Sequence, residues 1–435
     1  MEMVSSTAGC GVLYALFAAQ PLTIIGSTGP VLAFVACLAQ LASAANLPFL
    51  PLYSWTGLWT ALILLVSSLT SASNGVRFLT RFTDEIFSLL ISAIFVVEAL
   101  SDISGTFRSR SFGIAKSLMT LVSATVTYTV ATKLKGLRNS VYFNQRVRTF
   151  ISNFAPTFGI VAGSLVARWG RLAHGARLAL PSLVLPDTFA TTSGRPWLVP
   201  LMDLPVWARW ASFVPALMAT VLLFLDQNIT VRLVNNPQYR LRKGRTNVLD
   251  GMHVDMLVVS ILTAAQSLLG LPWLVAATVR SVSHVRALSQ YENGMVVGSI
   301  EQRLTGMSIH ALIGCCILFA GPRNLLTQIP LSVLMGLFMY LGTSALPGNE
   351  MWERIKGLFQ DPMVAPPQRW LSVPKSITRN FTLIQVACLA AMFWVKESPL
   401  GVLFPVVIAM LAPLRFALEK SNVIPAPFME VLDAE

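Results

Sequence analysis

Residues 271–285 of the chain read LPWLVAATVRSVSHV, and the arginine in this stretch is Arg280. No other ionisable side chain lies between Met256 and Val279, so the guanidinium follows an apolar run long enough to cross a bilayer. A charged side chain at that depth costs about 2.5 kcal/mol or more unless it is compensated. The stretch itself is too short, and too interrupted by Pro272, to span as one helix. It therefore indicates a broken helix that carries a charged functional group.

The composition is that of a membrane protein. Of the 435 residues, 54% are hydrophobic and 12% are charged, whereas about a quarter of the residues in a soluble domain are charged. The net charge of +12 comes from lysines and arginines in short loops, without a separate basic domain, which argues against nucleic acid as a partner. The five cysteines lie in apolar runs without C-x-x-C spacing, and no hydrolase motif is present. We therefore expect no metal site, no cofactor and no enzyme activity.

Long apolar windows recur from end to end. Windows of about 17 to 25 apolar residues match the length of a membrane-spanning helix. They predict spans near 2–18, 55–71, 84–100, 113–132, 149–167, 207–228, 254–270, 303–320, 330–346, 381–395 and 398–414. With two broken apolar segments, 21–45 and 271–289, we expect an all-α multi-pass membrane protein with about 13 membrane segments.

The orientation follows from the basic loops. Residues 132–148 and 231–245 are the densest basic stretches, and the positive-inside rule places both in the cytosol. On the same side, MWERIKGLF (351–359) has an amphipathic pattern suited to lying on the bilayer surface. Residues 417–435 are predicted to form a cytosolic C-terminal tail.

The two broken segments lie in different halves of the chain. The first, QPLTIIGSTGPVLAF (20–34), opens with a proline as the second does and is further interrupted by Gly, a pattern typical of inverted-repeat transporters whose helices break at the binding site. Irregular backbone at membrane depth requires burial in protein or a water-filled cavity. Only one predicted span precedes the first broken segment, whereas two precede the second in its half. We therefore expect that one helix is missing before Met1.

Helices that begin near Thr28 and Thr278 would direct free N–H groups and positive dipole ends towards each other. Such a pair of helix ends binds an anion, and Arg280 adds a planar fork that matches two oxygens of a carboxylate-like ion or bicarbonate. The predicted substrate-binding residues are Ser27, Thr28, Gly29, Thr278, Arg280 and Ser281, and Ser283 offers a further hydroxyl. A simpler interpretation of Arg280 is a side chain that snorkels from a helix end or forms a structural ion pair.

Asp226, in LLFLDQNIT, is the best candidate partner of Arg280. It could instead bind a cation or carry a proton, and Thr230, one turn further on, could add an oxygen ligand. At about 4 Å and an effective dielectric near 20, the arginine would oppose a bound cation by roughly 4 kcal/mol. A close pair therefore favours sodium-independent exchange, and the sequence favours this case slightly, whereas well-separated side chains would permit cotransport. A carboxylate at the cytosolic interface remains the simplest interpretation of Asp226.

RFTDE (81–85) is typical of a helix N-terminus. We predict Thr83 as the N-cap, with Asp84 and Glu85 stabilised by the helix dipole. A transport role for Glu85 is the weaker alternative.

These residues lie in stretches that resemble the bicarbonate transporter family, which groups anion exchangers, sodium-bicarbonate cotransporters and, more distantly, borate transporters. The matching stretches are QPLTIIGSTGPVLAF, LPFLPLYSWTGLWTALILL, RFTDEIFSLLISAIF, FLDQNITVRLV, GLPWLVAATVRSVSHVRALS, EQRLTGM, IPLSVLMGLFMYLG and SPLGVLFPVVI. The resemblance implies two inverted repeats of seven segments, a core domain, a gate domain and a homodimer formed through the gate. It also implies that sodium-coupled members share the aspartate at Asp226, whereas chloride exchangers share the arginine at Arg280, so this chain combines both patterns.

The resemblance predicts a core domain from residues 1–72 and 207–320 and a gate domain from residues 73–206 and 321–416. It predicts secondary active transport of small inorganic anions across the plasma membrane, with bicarbonate first and with sodium or chloride as the coupled ion. The alternatives are a borate transporter and, in a different class, a truncated paralogue that serves as a membrane scaffold without transporting.

Overall fold

The computed structural model describes residues 1–72, 74–75, 80–109, 112–185, 189–241, 248–292, 295–357, 359–360, 368–398 and 401–433. Four predicted segments fall partly outside these residues. They are the basic loop at 242–245, the amphipathic segment at residue 358, the last predicted span at residues 399–400 and the C-terminal tail at residues 434–435.

The described residues are mostly helical. The helices are α1 (Glu2–Phe17), α2 (Gly29–Ala44), α3 (Phe49–Leu69), α4 (Arg81–Arg108), α5 (Ile114–Gly136), α6 (Gln145–Asn153), α7 (Ala155–His174), α8 (Val206–Ala211), α9 (Phe213–Val234), α10 (Val248–Leu268), α11 (Thr278–Leu288), α12 (Leu304–Leu318), α13 (Ala320–Leu326), α14 (Leu331–Ala345), α15 (Glu350–Gly357), α16 (Lys375–Glu397), α17 (Phe404–Ala409), α18 (Leu411–Lys420) and α19 (Ala426–Leu432).

Two short antiparallel sheets accompany the helices. Strands β1 (Ile25–Gly26) and β2 (Val275–Ala276) pair with each other, Ile25 opposite Ala276 and Gly26 opposite Val275. Strands β3 (Ser289–Glu292) and β4 (Met295–Ser299) form the other pair. The first sheet joins the two segments predicted to be broken, and both are broken where the sequence indicated. Helices follow them from Gly29 and from Thr278.

Within the described residues, six helices are long and apolar enough to cross a membrane, and the number rises to nine if each of three sharply bent helix pairs counts as one span. Both counts, which rest on helix length and composition, are lower than the 13 segments that hydropathy predicted. One reason is the predicted span 398–414, which is wrong as a single helix, because α17 ends at Ala409 and α18 starts at Leu411. Pro413 has no N–H to donate and its ring clashes with the carbonyl four residues earlier, so a helix does not continue through this point.

The chain forms two compact units. The first comprises Met1–Phe87, Thr188–Leu318 and Glu353–Glu435, and the second comprises Ser88–Asp187 and Phe319–Trp352. These boundaries differ from the predicted core and gate ranges, since 353–416 fall in the first unit. A compact unit is defined by packing and a core or gate domain by movement, so the functional division stays a prediction.

In the first unit, α3 packs along α10 and also contacts α9. The aromatic ring of Tyr53 on α3 stacks on Trp273 with ring centroids 4.4 Å apart, and Trp273 is 1% exposed. In the second unit, α5, α7 and α14 pack closely, with Gly163 and Gly336 facing Thr127. A side chain at either glycine would overlap α5, so small residues set the approach of these helices.

The N-terminus of α4 differs from the prediction. The helix begins at Arg81, so Thr83 lies inside it and is not the N-cap. The N–H of Phe82 donates instead to the carboxylate of Asp433 at 2.6 Å. The acceptor for this helix end comes from the far end of the chain, 351 residues away in sequence, which local pattern analysis does not reveal.

Glu85 has a structural partner. Its carboxylate forms an ion pair with Arg354 of α15 at 2.6 Å, and Gln385 of α16 donates to the same oxygen at 3.1 Å. The three side chains are buried. Since removing one member of a buried ion pair leaves an uncompensated charge, the arrangement assigns Glu85 to holding three helices together.

Candidate functional site

Helices α2 and α11 both begin inside the first unit without a side-chain cap. The residue before α2 is Thr28 and the residue before α11 is Ala277, and neither side chain accepts from the first turn. The first intrahelical bonds start at Leu32 and Ser281, so the earlier N–H groups have no intrahelical acceptor. Two helix ends with free donors therefore lie next to the β1–β2 pair, which is the arrangement expected for an anion site.

Buried side chains satisfy the backbone of the second broken segment. The amide oxygen of Gln227 accepts from the N–H of Ala276 at 3.0 Å, and that of Gln266 accepts from the N–H of Leu274 at 3.2 Å. The hydroxyl of Tyr53 accepts from Trp273 N–H at 3.1 Å and donates to a neighbouring carbonyl. Non-helical backbone is tolerated at membrane depth only when its polar groups find such partners.

Helix α9 contacts the ends of both half-helices. The hydroxyl of Thr28 donates to Oδ2 of Asp226 at 2.7 Å. One turn further along α9, the hydroxyl of Thr230 lies 2.6 Å from the hydroxyl of Thr278, the first residue of α11. On α9, Asp226 thus contacts the first broken segment and Thr230 contacts the second.

Arg280 lies against the first broken segment. Its Nη2 donates to the carbonyl of Ser27 at 3.1 Å, and its guanidinium is packed on Gly26, where a Cβ atom would lie 2.7 Å from Nη1. The side chain is exposed to solvent space. A guanidinium carries five N–H groups in a fixed fork, and one of them is donated to Ser27, so the other four can still be donated to a ligand.

The predicted pair of Arg280 and Asp226 does not form. Among the described residues, no carboxylate lies within ion-pair distance of Arg280, and Asp226 bonds to Thr28 instead. The second carboxylate oxygen of Asp226, Oδ1, is buried and has no hydrogen-bond partner in this part of the chain. The guanidinium has a carbonyl to bind and space around it, so the expectation that its desolvation requires Asp226 was wrong.

The remaining predicted residues take two different positions. Ser27, Thr28, Gly29 and Thr278 are half-buried at the helix ends, and Oγ of Ser27 is buried without a partner among the described residues. Ser281 is fully buried, accepts from the N–H of Ile24 at 3.0 Å and donates to the Ile24 carbonyl at 3.2 Å. Its hydroxyl supports the broken segment and is not free to bind a ligand.

Several residues at the site escaped sequence analysis. Gly26 makes room for the guanidinium, and Gln20, Gln227, Gln266 and Asp255 satisfy broken backbone. A polar side chain inside an apolar span is the one available signal, and it identifies the glutamines and the aspartate as candidates without telling which backbone group each one meets. The strand register that places Gly26 beside Arg280 is a long-range property.

The groups gathered at this site match the chemistry of a small anion. Its donors are helix N–H groups, hydroxyls and a guanidinium, and its one carboxylate, Asp226, lies on the α9 side. No group of three or more His, Cys, Asp or Glu side chains that could hold a metal ion occurs in the described part of the chain.

Comparison with known proteins identifies the family. The family profile for the HCO3⁻ transporter integral membrane domain matches residues 1–117 and 109–435. The chain belongs to this family. Its members are transporters and not enzymes, and the chain is an integral membrane protein.

Related transporters of this family cover nearly the whole chain. It is 32% identical over 445 residues to the human Band 3 anion transport protein, covering 95% of this chain and 47% of that protein. It is 31% identical over 493 residues to the human sodium-driven chloride bicarbonate exchanger, covering 95% of this chain and 43% of that protein. The chain spans less than half the length of these two relatives.

Among solved structures, the fold is similar to the transmembrane domain of the cyanobacterium bicarbonate transporter BicA. The TM-score is 0.56 at 16% sequence identity, over 93% of this chain and 89% of that chain. At this level of identity the likeness concerns the fold alone, and it agrees with the transporter fold that the broken segments predicted.

Proposed function

We propose that the protein is a secondary active transporter of small inorganic anions, and that bicarbonate is its main substrate. The anion binds between the N-termini of α2 and α11, where Arg280 supplies the positive charge and the fork for two oxygens. The single observation that carries this proposal is the position of that guanidinium. It lies against the end of the first broken segment, exposed, and without a carboxylate partner among the described residues.

Transport requires access to this site from either side of the membrane in turn. In the expected mechanism a core domain containing α2, α9 and α11 moves against a gate domain. The two half-helices are joined by the β1–β2 pair and by the bonds from α9, so we propose that they move as one body. The plasma membrane and a homodimeric assembly are further expectations of the family resemblance.

Sodium-coupled cotransport is the second candidate. A cation would bind at Asp226, where a carboxylate oxygen that has no partner among the described residues and the hydroxyl of Thr28 offer the hard oxygens that sodium prefers. Exchange was favoured on the assumption that Asp226 is occupied by Arg280. Since that pair does not form, Arg280 does not occupy Asp226, and sodium-coupled cotransport is as compatible with the site as exchange.

The test is bicarbonate uptake into liposomes that contain the purified protein, at fixed membrane potential. Sodium is replaced by an inert organic cation in one series, and chloride by gluconate in the other. Uptake that requires internal chloride indicates exchange, and uptake that requires external sodium indicates cotransport. Liposomes in which no anion, borate included, enters faster than in protein-free controls would contradict the proposed function and favour a scaffold. Uptake of borate in preference to bicarbonate would support the borate alternative.

A further inference from the structure

A second buried carboxylate lies at the other end of the first broken segment. Asp255 of α10 is fully buried. Its Oδ1 accepts from the N–H of Ala19 at 2.6 Å and from the N–H of Gln20 at 3.2 Å. These two residues follow directly after α1, which ends at Phe17. The carboxylate therefore holds the point at which the chain leaves the helix and becomes extended.

The attachment continues from Gln20 towards α9. The side-chain oxygen of Gln20 accepts from the N–H of Leu22 at 3.1 Å, and its amide nitrogen donates to the side chain of Asn235, the residue that directly follows α9. Further along, Ser281 of α11 holds Ile24. Side chains on α10, on α11 and at the end of α9 thus fix the non-helical chain from Ala19 to Ile24.

This non-helical chain ends at the anion site. Two residues after Ile24 comes Gly26, on which the guanidinium of Arg280 is packed, and then Ser27, whose carbonyl Arg280 binds. Between Ala19 and Ser27 the chain forms a turn, closed by the bond from Thr23 N–H to the Gln20 carbonyl, and then the strand β1. Because backbone groups along this path are bonded, the segment has little freedom to absorb a displacement at Ala19.

Packing alone does not explain why residue 255 is an aspartate. In the part of the chain that the structure describes, no cationic side chain lies within ion-pair distance of Asp255, and its second oxygen, Oδ2, has no hydrogen-bond partner. A buried carboxyl group without a charged partner is costly, and a neutral amide could accept from the same two N–H groups. The benefit of the carboxyl group lies in how firmly it holds Ala19 and Gln20, since hydrogen bonds to an ionised acceptor are roughly twice as strong as neutral ones.

We propose that Asp255 is a positioning residue of the anion site: it fixes the start of the non-helical segment 19–27 and thereby sets Gly26 and Ser27 against Arg280. This role rests on the proposed function of that site. Asp255 contacts neither the half-helix ends nor the substrate in this arrangement, and it acts only through the backbone that it holds.

The experiment compares Asp255→Asn and Asp255→Ala with the control Ser260→Ala. Ser260 is a buried residue of the same helix whose hydroxyl bonds only within α10, to the Leu257 carbonyl. In liposome uptake, we expect the half-saturating bicarbonate concentration to rise about tenfold for the alanine variant and about threefold for the asparagine variant. The control should match wild type, and the amount of folded protein should be equal in all four samples.

Hydrogen–deuterium exchange supplies a readout that does not depend on transport. In both Asp255 variants the amides of residues 19–27 should exchange faster, with those of α3 and α9 unchanged. If Asp255→Ala fails to fold, the asparagine variant decides by the same two measurements. Wild-type half-saturation and wild-type exchange in residues 19–27 would overturn the proposal, and so would faster exchange spread evenly over the first unit. A wild-type protein that transports no anion would instead contradict the proposed function, and local exchange in 19–27 would still decide whether Asp255 positions the segment.

Discussion

The segment that leads into α2 and the segment that leads into α11 pair through one short sheet, yet they differ in charge and in donors. Helix α2 has 16 residues and no acidic or basic side chain, whereas α11 has 11 residues and carries Arg280, His284 and Arg286. The first turn of α2 contains Pro30, which has no N–H. It thus offers fewer free donors than the first turn of α11.

This difference separates two tasks within one architecture. The second half supplies charge and most donors, while the first half supplies a backbone surface, Gly26 and Ser27, against which the charge rests. An inverted repeat makes the two half-helices equivalent in backbone but leaves their side chains free to diverge. We therefore expect substitutions in the second half to affect anion binding directly, and those in the first half to act through the position of Arg280.

The largest effect is expected for Arg280→Ala, which should lower anion uptake about a hundredfold. The variant loses the charge-assisted hydrogen bonds to the anion, each of which contributes about 1.5–3 kcal/mol, and each 1.4 kcal/mol corresponds to about tenfold. Arg286→Ala is the matched control, since this arginine of the same helix bonds to Tyr239. Uptake and membrane insertion are measured together, and normal uptake by an inserted Arg280→Ala protein would remove the residue from the site. Arg280→Lys should rescue poorly, because it keeps the charge and loses the fork.

The surroundings of Arg280 show which features of the site the sequence predicts and which it does not. Its depth in an apolar run and the interruptions by Gly and Pro were sufficient to predict broken helices that begin near residues 28 and 278. Those are local signals, since they depend on hydropathy and on residues that cannot continue a helix. The partner of Arg280 was predicted wrongly because the distance between α9 and α11 side chains depends on tertiary packing, and a backbone carbonyl as a partner leaves no trace in the sequence.

The same limit explains the other differences. Thr83 fits the residue preference of an N-cap, but the actual acceptor for α4 is Asp433 from the far end of the chain. Hydropathy joined residues 398–414 into one span although a proline interrupts it. Gly26 was not selected because a glycine in an extended segment has many structural explanations, and only the register of β1 with β2 shows what it faces.

The second prediction tests the backbone surface of the first half. In Gly26→Ala, the new Cβ would lie 2.7–2.9 Å from three guanidinium atoms, so Arg280 must move. Because that group is the exposed end of a flexible side chain, the protein should still fold, while anion uptake falls about thirtyfold, equivalent to about 2 kcal/mol and within the range of overpacking costs. Gly9→Ala is the control, since a Cβ there meets nothing within 4 Å.

A double variant sharpens this comparison. If Gly26→Ala acts through Arg280, its effect on anion binding should vanish in the Arg280→Ala background, as expected for coupled residues. Anion binding to purified protein is measured by the shift in thermal unfolding that bicarbonate produces, since a ligand that binds the native state raises its stability. Additive effects would show that Gly26 acts on the fold in general and not on the guanidinium.

The third prediction concerns the contact of α9 with the first half. Thr28→Val keeps the shape of the side chain but removes the hydroxyl that donates to Asp226 at 2.7 Å. A hydrogen bond to a charged group contributes about 1.5–3 kcal/mol, so anion uptake should fall about tenfold. If sodium is coupled at Asp226, the half-saturating sodium concentration should rise as well. Thr70→Val, which loses a bond only within α3, serves as the control, and unchanged uptake by Thr28→Val would dissociate Asp226 from the site.

The smallest effect is expected where α9 meets the second half. Thr278→Val removes the hydroxyl that lies 2.6 Å from Thr230, a bond between neutral groups with a net contribution of about 0.5–1.5 kcal/mol. Thr230 retains a weaker contact with the carbonyl of Ala276 at 3.4 Å, and the backbone N–H of residue 278 remains at the helix end. Anion uptake should therefore fall only about threefold, with sodium dependence unchanged, because Asp226 keeps its bond to Thr28.

Comparing Thr28→Val with Thr278→Val then shows which half-helix depends more on its contact with α9. If Thr278→Val reduced uptake more than Thr28→Val, the charged half would depend on α9 more than the uncharged half does, and the division of tasks between the two broken segments would have to be reversed.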